Sequence, residues 1–459
     1  MANILVAATP APGHVNPMLS VARHLSSLGH SITFLSGRLF RDQAVALGFQ
    51  FVPFSGVADF DYRRLDEEFP EVAAAKPGPE AMNAICMYTG IDPVPDQYRT
   101  IQQILSEGPV DLIVTDLYFW GVFPMLLGPR DTRPPVLTFG VLPLILSSCD
   151  AAPLSGPDAS PEGRLRNQEE TQQFFAMMQP ATTHFNEVLR SCGAPELPEF
   201  FLDSAAHLPD RFLELTAEAF EYPRSDMKKS IQFIGNLMPN GHTKSPMPAW
   251  WDSLDESKPV VLVTQGTLAN WDLSQLIEPA IAALADEQVT VIVAAGRPDL
   301  EAIRLPGGVK PENAKIENYI PFEQILPMVD VFVTNGGFGS VNLSLSKGIP
   351  MVVAGDTEDK IFTASRVGWS GAGVNLATGR PTGEQIRTAV RAVLLDKKYK
   401  ENATRLQKEF ARYNAFDLIT ETANSMLSLK NSVNHFSTPE GVVRNRPRST
   451  TSPSSLSVQ

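Results

Sequence analysis

The sequence has 459 residues, which is too long for one ordinary core and, at roughly 150 residues per domain, allows two or three globular units. Its 43% hydrophobic and 19% charged residues are typical of a globular protein and exclude a disordered or fibrous chain. The net charge of -13 excludes a general attraction for nucleic acid or anionic membranes, so we expect any phosphate group to be bound locally.

The cysteines and the apolar stretches limit the location of the protein. Cys86, Cys149 and Cys192 lack CxxC spacing and predict neither a disulfide framework nor a zinc site, which fits a reducing compartment. The amino-terminal run MANILVAA has no Lys or Arg before its apolar residues, unlike a secretory signal. The most apolar later stretch, 134–146, is shorter than the roughly 20 residues that span a bilayer. We therefore expect a cytoplasmic protein with no integral membrane segment.

The first half of the chain alternates short apolar runs with helical patterns. The run ILVAA at 4–8 predicts a first strand, 17–28 a helix and 31–35 a second strand. The runs DLIVTD at 111–116 and PVLTFG at 135–140 predict further buried strands. This alternation is typical of an α/β fold with a mostly parallel sheet.

A turn-rich, charged stretch at 239–258 predicts a linker between two domains. After it, the runs VVLVTQG, VTVIVAAG, VDVFVTNGG and PMVVAG restart the alternation and predict a second doubly wound domain. We therefore expect one domain at 1–238, a second at 259–396 and further helices at 397–433. The segment 434–459, rich in Ser, Pro and Thr, predicts a disordered tail.

His14 and Asp116 both follow predicted strands. His14 lies in PGHVNP, where Asn16 as the cap and Pro17 as the first helical residue predict a loop before a helix. Ligands of open α/β sheets bind at this edge, and the helix dipole would lower the pKa of the imidazole and favour a neutral base. A loop histidine bonded to backbone is the alternative. Asp116 could orient a histidine or cap the segment after it, and the residues leave both roles open.

Three polar segments follow strands of the second half. TNGGFGS at 334–340 joins a strand to a helix, and its backbone amides could cradle a diphosphate, although a glycine turn needed only for packing is the alternative. Its spacing fits neither G-x-G-x-x-G nor a P-loop. TQGT at 264–267 and AGDTEDK at 354–360 also follow strands, so polar groups converge on one crevice. The acids of DFD at 59–61 could suggest a metal site, but a solvated acidic surface is the simpler interpretation.

Together these motifs resemble the family-1 nucleotide-sugar (UDP-) glycosyltransferases of the GT-B fold, in which two Rossmann-like domains face each other across a cleft. The resemblance extends from the amino terminus to about Leu429. Its most specific part is the signature at 318–376, from NYIPFEQILP to GWSGAGVNL, which follows the family's donor motif in order and spacing. PGHVNP matches the family pattern in which the histidine, here His14, is the catalytic base, and Asp116 in TDLYFWG matches its usual partner.

The resemblance also implies a donor site in the second domain. It places Tyr319 where an aromatic ring stacks on the nucleobase, Ser340 and Thr267 at phosphate positions, and Asp359 where an acid bonds sugar hydroxyls. The donor-binding positions that it implies are Gly13, Gly266, Thr267, Tyr319, Ile320, Asn335, Gly337, Gly339, Ser340, Asp359 and Lys360.

Four residues depart from the family pattern in this region. Asn335 replaces the usual histidine beside the diphosphate, and Leu343 replaces the glutamate that commonly bonds the ribose. Lys360 and Phe322 each replace a frequent glutamine. The phosphate cradle survives these changes, whereas the base, the ribose contact and the sugar are less constrained.

The implied reaction is an inverting, metal-independent transfer of a hexose, with UDP-glucose as the expected donor, to a hydroxyl of a small apolar acceptor such as a phenolic, polyketide or other secondary metabolite. His14 takes the acceptor proton, Asp116 stabilises the imidazolium, and amides stabilise the leaving diphosphate. The segments 81–90 and 139–148 offer material for an apolar acceptor pocket. In the family the last helices, here 397–433, pack back on the amino-terminal domain.

Two other functions are compatible with this fold. A binding or regulatory protein that has lost turnover through its altered donor site is one, although His14 and Asp116 are both present. A sterol or lipid glycosyltransferase is the other, although no basic amphipathic helix is visible near the amino terminus. We expect a nucleotide sugar and a small acceptor as the partners, with no nucleic acid, and the sequence leaves the oligomeric state open.

Overall fold

The first half of the chain is built on a seven-stranded sheet. The computed structural model describes residues 1–76, 78–237, 247–266, 270, 272–297 and 299–435. The strands of this half are β1 (Asn3–Ala7), β2 (Ser31–Ser36), β3 (Gln50–Pro53), β4 (Leu112–Asp116), β5 (Val136–Gly140), β6 (Ala151–Ala152), β7 (Gly156–Pro157), β8 (Arg211–Glu214) and β9 (Ile231–Phe233). The sheet has the order β3-β2-β1-β4-β5-β8-β9 with every neighbouring pair parallel, and β6 and β7 form a separate antiparallel ribbon.

Helices connect these strands on both faces of the sheet. They are α1 (Pro12–Ser27), α2 (Arg41–Ala46), α3 (Leu65–Glu68), α4 (Pro70–Ala74), α5 (Pro79–Ile85), α6 (Val94–Glu107), α7 (Phe123–Leu126), α8 (Pro161–Met177), α9 (Gln179–Ser191) and α10 (Phe201–His207). A π-helical segment, Cys86–Ile91, directly extends α5.

The second half repeats this design with six parallel strands. They are β10 (Val260–Thr264), β11 (Thr290–Ala294), β12 (Ala314–Glu317), β13 (Val331–Thr334), β14 (Met351–Val353) and β15 (Gly373–Asn375), in the order β12-β11-β10-β13-β14-β15. Its helices are α11 (Ile277–Leu284), α12 (Phe322–Ile325), α13 (Phe338–Ser346), α14 (Lys360–Ser370), α15 (Gly383–Leu395), α16 (Lys397–Phe410) and α17 (Ala415–His435).

The apolar runs form strands that are buried on both faces. In β1, Ile4 and Val6 belong to the core on one side of the sheet, whereas Leu5 and Ala7 belong to the core on the other side. Successive side chains of a strand point to opposite faces, so a continuous apolar run requires helices on both sides. The prediction of two doubly wound α/β units is therefore confirmed.

The last two helices pack against different halves of the protein. Ala403, Leu406 and Phe410 of α16 lie in the core of the second half, where this helix packs on α13. Ala415, Ile419, Ala423 and Met426 of α17 lie in the core of the first half. The prediction that the segment 397–433 packs on the first half agrees with α17. It differs for α16, which packs mainly in the second half and contacts the first half at 218–220.

Shortening a buried side chain of α17 tests its packing in the first half. Ile419→Val removes one methylene from a fully buried position, so we expect a loss of about 1 kcal/mol in the free energy of unfolding. Glu421→Gln, at an exposed position two residues later in the same helix, serves as the control and is expected to change the free energy of unfolding little. Urea unfolding monitored by circular dichroism measures both, and equal stabilities would contradict the packing of α17 in this core.

A buried ion pair joins the two halves. The Arg366 guanidinium of α14 donates to both carboxylate oxygens of Glu221, at 2.9 and 2.7 Å. It also donates to the backbone carbonyl of Leu144, at 2.6 Å. Arg366 and Glu221 are almost fully buried, and Glu221 also pairs with Arg224, so removing Glu221 would leave buried guanidinium charges without this carboxylate. This contact fixes α14 against the loop that follows β5.

Parts of the predicted linker and tail lie outside the described residues. The linker at 239–258 falls between β9 and β10, but 238–246 are not among the described residues, and neither are 436–459 of the predicted tail. Within the described ranges, no helix combines the length and the apolar character needed to cross a membrane.

Candidate active site

His14 lies in the first turn of α1, at the carboxyl edge of the first sheet. The helix begins at Pro12 with Ala11 as its cap, so Asn16 and Pro17 lie inside it. The prediction that Asn16 caps the helix and that His14 lies in a loop is therefore wrong. Pro12 provides the fixed backbone angle that favours a helix start, and it does so five residues before Pro17. Gly13 lies beside His14, and an added Cβ there would meet no atom within 4 Å.

The structure brings His14 and Asp116 together. The Nδ1 atom of His14 lies 2.8 Å from Oδ1 of Asp116, which ends β4 and is buried. The same carboxylate accepts hydrogen bonds from the backbone amide of Thr9 at 2.7 Å and from that of Tyr118 at 2.9 Å. Asp116 therefore both caps the chain after β4 and orients the imidazole. With Nδ1–H donating to the carboxylate, Nε2 keeps the lone pair that a base needs.

The pKa of His14 is raised, which is opposite to the prediction from the helix dipole. Burial lowers this pKa, but the Asp116 carboxylate outweighs burial through its charge and its hydrogen bond, and Asp359 and Glu358 raise the pKa further. Asp359 and Glu358 belong to the second half of the chain, so the negative field at His14 comes from both halves. The imidazole therefore becomes neutral only at a higher pH than an isolated histidine does.

Removing one of these carboxylates should shift the titration of His14. We expect Glu358→Gln to lower the pKa of His14, because a negative charge that favours the imidazolium is lost. Activity that needs neutral His14 then persists to lower pH in the variant than in the wild type. Imidazole NMR signals followed against pH measure the shift directly. His30, at the opposite edge of the sheet and with a pKa lowered mainly by burial, is the internal control, and parallel shifts of both histidines would contradict the prediction.

An apolar cavity of about 230 Å³ lies beside His14. The predicted segments 81–90 and 139–148 both contribute to its wall, as do side chains that the sequence did not indicate, among them Trp120 and Phe174. Glu358, Asp359 and Phe362 close it from the second half of the chain. The lining residues are Thr9, Ala11, His14, Phe60, Tyr62, Leu65, Met82, Ile85, Cys86, Thr89, Leu117, Tyr118, Trp120, Leu142, Pro143, Leu144, Ile145, Leu146, Phe174, Met178, Leu202, Ala206, Glu358, Asp359 and Phe362.

The glycine-rich segment forms the turn between β13 and α13. Gly336 has a φ of +89°, and a Cβ there would lie 2.7 Å from Cγ1 of Val353, so the backbone requires glycine. Gly337 caps the helix with an ordinary φ of -59°. A Cβ on Gly337 would meet only Oγ of Ser340, at 3.6 Å, and one on Gly339 would meet no atom within 4 Å. Packing therefore explains Gly336 but neither Gly337 nor Gly339, and the first helical amides remain open to an anion.

Other predicted donor residues surround this turn. Gly266 follows β10 with a φ of +73°. Asn335 is buried, and its amide donates to the backbone carbonyl of Gln265, so one of its two hydrogens is already bonded. Oγ of Ser340 donates to the carbonyl of Gly337 at 2.8 Å. Thr267 lies outside the described residues.

The aromatic and apolar positions divide into exposed and buried ones. Tyr319 is 69% exposed and is free to stack on a ligand, whereas Ile320 is in the core of the second half, so only its backbone can reach a ligand. Phe322 packs edge to face on Phe332, with ring centroids 5.9 Å apart. Leu343 packs on the same core. At positions where the resemblance implies polar residues, Phe322 and Leu343 thus provide side chains that extend the core.

Glu358 and Asp359 line the cavity beside His14, and Lys360 follows them in the chain. Asp359 precedes α14 and lines the cavity, where burial raises its pKa. Lys360 is buried, and its Nζ forms an ion pair with the carboxylate of Glu358. Glu358 was not among the predicted site residues, and the acidic run TEDK is the only signal in the sequence that could have indicated it.

Two clusters of acidic residues outside this site, the DFD segment and the group around Cys149, have partners within the protein. Asp59 pairs with Arg38 at 3.4 Å, and Asp61 pairs with Arg63 at 2.7 Å, so both carboxylates of the DFD segment are engaged. Cys149, Asp150 and Asp226 have potential metal ligands within 4.8 Å of one another. Asp150 accepts from Ser225, and Asp226 accepts from the amide of Cys149, so both carboxylates have protein partners.

Three features together define a glycosyltransferase of the GT-B class. They are the two parallel-sheet units, the histidine–aspartate pair at the edge of one unit and the glycine-rich helix start in the other. A family described as erythromycin biosynthesis protein CIII-like, C-terminal domain, matches residues 275–422. UDP-glycosyltransferase 2 of Phaeomoniella chlamydospora is 37% identical, over 92% of this chain and 95% of that protein. The 4'-demethylrebeccamycin synthase of Lentzea aerocolonigenes is 38% identical, over 90% of this chain and 97% of that protein.

A solved structure shows the same fold. The glycotransferase of kitacinnamycin superposes with a TM-score of 0.70 at 18% identity, covering 93% of this chain and 98% of that one. The chain therefore belongs to the family-1 nucleotide-sugar glycosyltransferases of the GT-B fold, and it is a glycosyltransferase. The resemblance predicted from the sequence is confirmed.

Proposed function

We propose that the protein transfers glucose from UDP-glucose to a hydroxyl of a small apolar secondary metabolite, with inversion at the anomeric carbon and without a metal ion. The observation that carries this proposal is the pair formed by His14 and Asp116 at the wall of an apolar cavity. Asp359 and Glu358 of the second half line the same cavity, so a base and a sugar-binding edge lie within one cleft.

The chemistry assigned to this pair is general base catalysis. Nε2 of His14 accepts the proton of the acceptor hydroxyl while its oxygen attacks the anomeric carbon, and Asp116 stabilises the imidazolium through Nδ1. A single attack from the face opposite the diphosphate inverts the configuration. The amides at the start of α13 and the helix dipole stabilise the leaving diphosphate.

The acceptor is proposed from the lining of the cavity. Aromatic and aliphatic side chains dominate, Lys and Arg are missing among the described lining residues, and Glu358 and Asp359 are acidic. A neutral, hydroxyl-bearing aromatic or polyketide fits this lining better than an anionic acceptor, because a carboxylate would lose water without gaining a cation. The name of the Lentzea relative, a rebeccamycin synthase, supports an acceptor from secondary metabolism.

The donor is proposed from the second half and from a relative. The exposed ring of Tyr319 offers a stacking surface, and the turn at Gly337 offers amides for the diphosphate. The relative from Phaeomoniella is named a UDP-glycosyltransferase. Glucose as the sugar follows from the resemblance to the family, with Asp359 at the position that bonds sugar hydroxyls.

A donor and acceptor panel tests the proposal. The protein is incubated with UDP-, TDP- and GDP-sugars and a library of phenols, polyketides and sterols, and products are detected by mass spectrometry. Transfer from UDP-glucose to a phenol, with the anomeric configuration inverted in the proton NMR coupling of the product, is the expected result. Donor binding without turnover would indicate a binding protein, and transfer restricted to sterols would indicate a lipid glycosyltransferase.

We expect transfer to persist in excess EDTA. The carboxylates of Asp59 and Asp61 already pair with arginines, and backbone amides are the proposed diphosphate contacts. Initial rates with and without EDTA, followed by addition of Mg²⁺ or Mn²⁺, measure the effect, and Asp61→Asn should transfer at the wild-type rate. A rate abolished by chelation and restored by either ion would contradict the metal-independent mechanism.

A cytoplasmic location is part of the same proposal. All three cysteines are free, which suits a reducing compartment. Fractionation of cells that express the tagged protein tests this location.

A further inference from the structure

Lys360 places a buried cation between the glycine-rich turn and the acceptor cavity. A Cβ built on Gly355 would lie 2.9 Å from Cβ of Lys360, and one built on Gly336 would lie 3.9 Å from it. Cβ of Lys360 therefore lies close to Gly355, in the loop after β14, and near Gly336, in the turn that precedes α13. Its ammonium meets the carboxylate of Glu358, which lines the cavity together with His14.

Glu358, the partner of this ammonium, has an unusual backbone conformation. Its φ of +54° lies in the left-handed region, which few residues other than glycine adopt without strain. The side chain is 41% exposed, whereas that of Lys360 is 9% exposed. Turning away from Lys360 would therefore return the Glu358 carboxylate to water, while the buried ammonium would need another anion.

Asn335 leaves the turn with no cationic side chain of its own. It stands where the family usually has a histidine, and it is neutral. A helix start provides only about half of an elementary charge, whereas a leaving nucleoside diphosphate carries several negative charges. Lys360 is a buried cation whose Cβ lies near Gly336 of this turn.

We propose that Lys360 binds the diphosphate of the donor and that Glu358 is the partner it exchanges for the phosphate. This inference rests on the proposed function, because it uses the same donor site. The diphosphate replaces the Glu358 carboxylate as the partner of the Lys360 ammonium. Repulsion between the negative diphosphate and the negative carboxylate then turns Glu358 towards solvent. The cation lost at Asn335 is thus supplied from α14.

A double-mutant cycle measured with two ligands tests the exchange. Lys360→Gln should weaken UDP binding about 10- to 100-fold and leave uridine binding unchanged, because only UDP carries the phosphates. Glutamine is frequent at this position in the family, so the fold should accept it. Glu358→Gln should strengthen UDP binding about threefold or more, because the ammonium no longer has to leave a partner. In the double variant this gain should vanish.

The controls separate this inference from the donor site itself. Lys398→Gln, which breaks an exposed ion pair with Asp396, should leave UDP binding unchanged. UDP binding that is equal in the wild type and Lys360→Gln, or a gain from Glu358→Gln that persists without Lys360, would overturn the role of Lys360 alone. If the wild-type protein binds neither UDP nor TDP, the proposed donor site itself is wrong, and the role of Lys360 fails with it. Titration calorimetry for UDP and ligand-observed NMR for uridine provide the affinities.

Discussion

Replacing His14 by alanine is expected to lower kcat for transfer by about 10² to 10⁴-fold while leaving the affinity for UDP nearly unchanged. The imidazole is hydrogen-bonded to Asp116 at the cavity wall, where it would act on the acceptor oxygen and not on the diphosphate. Steady-state rates at saturating donor, together with UDP titrations of the same preparation, separate the two effects.

His184→Ala is the matched control for this prediction. His184 also pairs with an aspartate, Asp92 at 2.5 Å, but it does not line the cavity. The control variant should therefore retain full activity. Asp116→Asn should also lose activity, since asparagine cannot stabilise the imidazolium and its amide group would face donors that the carboxylate accepts. Turnover near the wild-type rate in His14→Ala would remove this histidine from the mechanism.

Gly337→Val should weaken UDP binding by about 2 to 4 kcal/mol. The φ of Gly337 is -59°, and a Cβ there would meet only Oγ of Ser340, at 3.6 Å, so valine can fold into the turn without backbone strain. The added side chain would instead occupy the space where a diphosphate approaches the first amides of α13. Titration calorimetry on the folded variant measures the loss.

Two further glycine variants make this test specific. Gly336→Ala should lower stability, because its φ of +89° and the Val353 side chain at 2.7 Å both require glycine. Gly339→Ala places a methyl group in open space and should have a smaller effect on binding than valine at 337. If Gly337→Val and Ser340→Ala both bind UDP as tightly as the wild type does, the donor site lies elsewhere.

The fold could be predicted from the sequence because its signals are local. Apolar runs such as DLIVTD are buried on both faces, and the carboxyl ends of parallel strands lie at one edge, which brought His14 and Asp116 together in the prediction and in the structure. The predicted start of α1 was wrong because two prolines, Pro12 and Pro17, offer the same signal for the first helical position.

Features that depend on contacts between distant segments were not predictable in this way. The pKa of His14 is raised partly by Asp359 and Glu358, which lie more than 300 positions later in the sequence. No local pattern connects these acids with His14. The different packing of α16 and α17 also depends on contacts between distant segments. Both helices are amphipathic, and the sequence does not indicate which core each one completes.

The course of α17 limits how such an enzyme can be recombined. The helix is last in the chain, yet its side chains complete the core beneath β1 and β4 of the first sheet. A hybrid assembled by a single crossover between β9 and β10 would pair the helix of one parent with the acceptor half of the other. Exchange of acceptor specificity therefore calls for two junctions, one in that linker and one between Phe410 and Ala415, so that the returning helix travels with the sheet it covers.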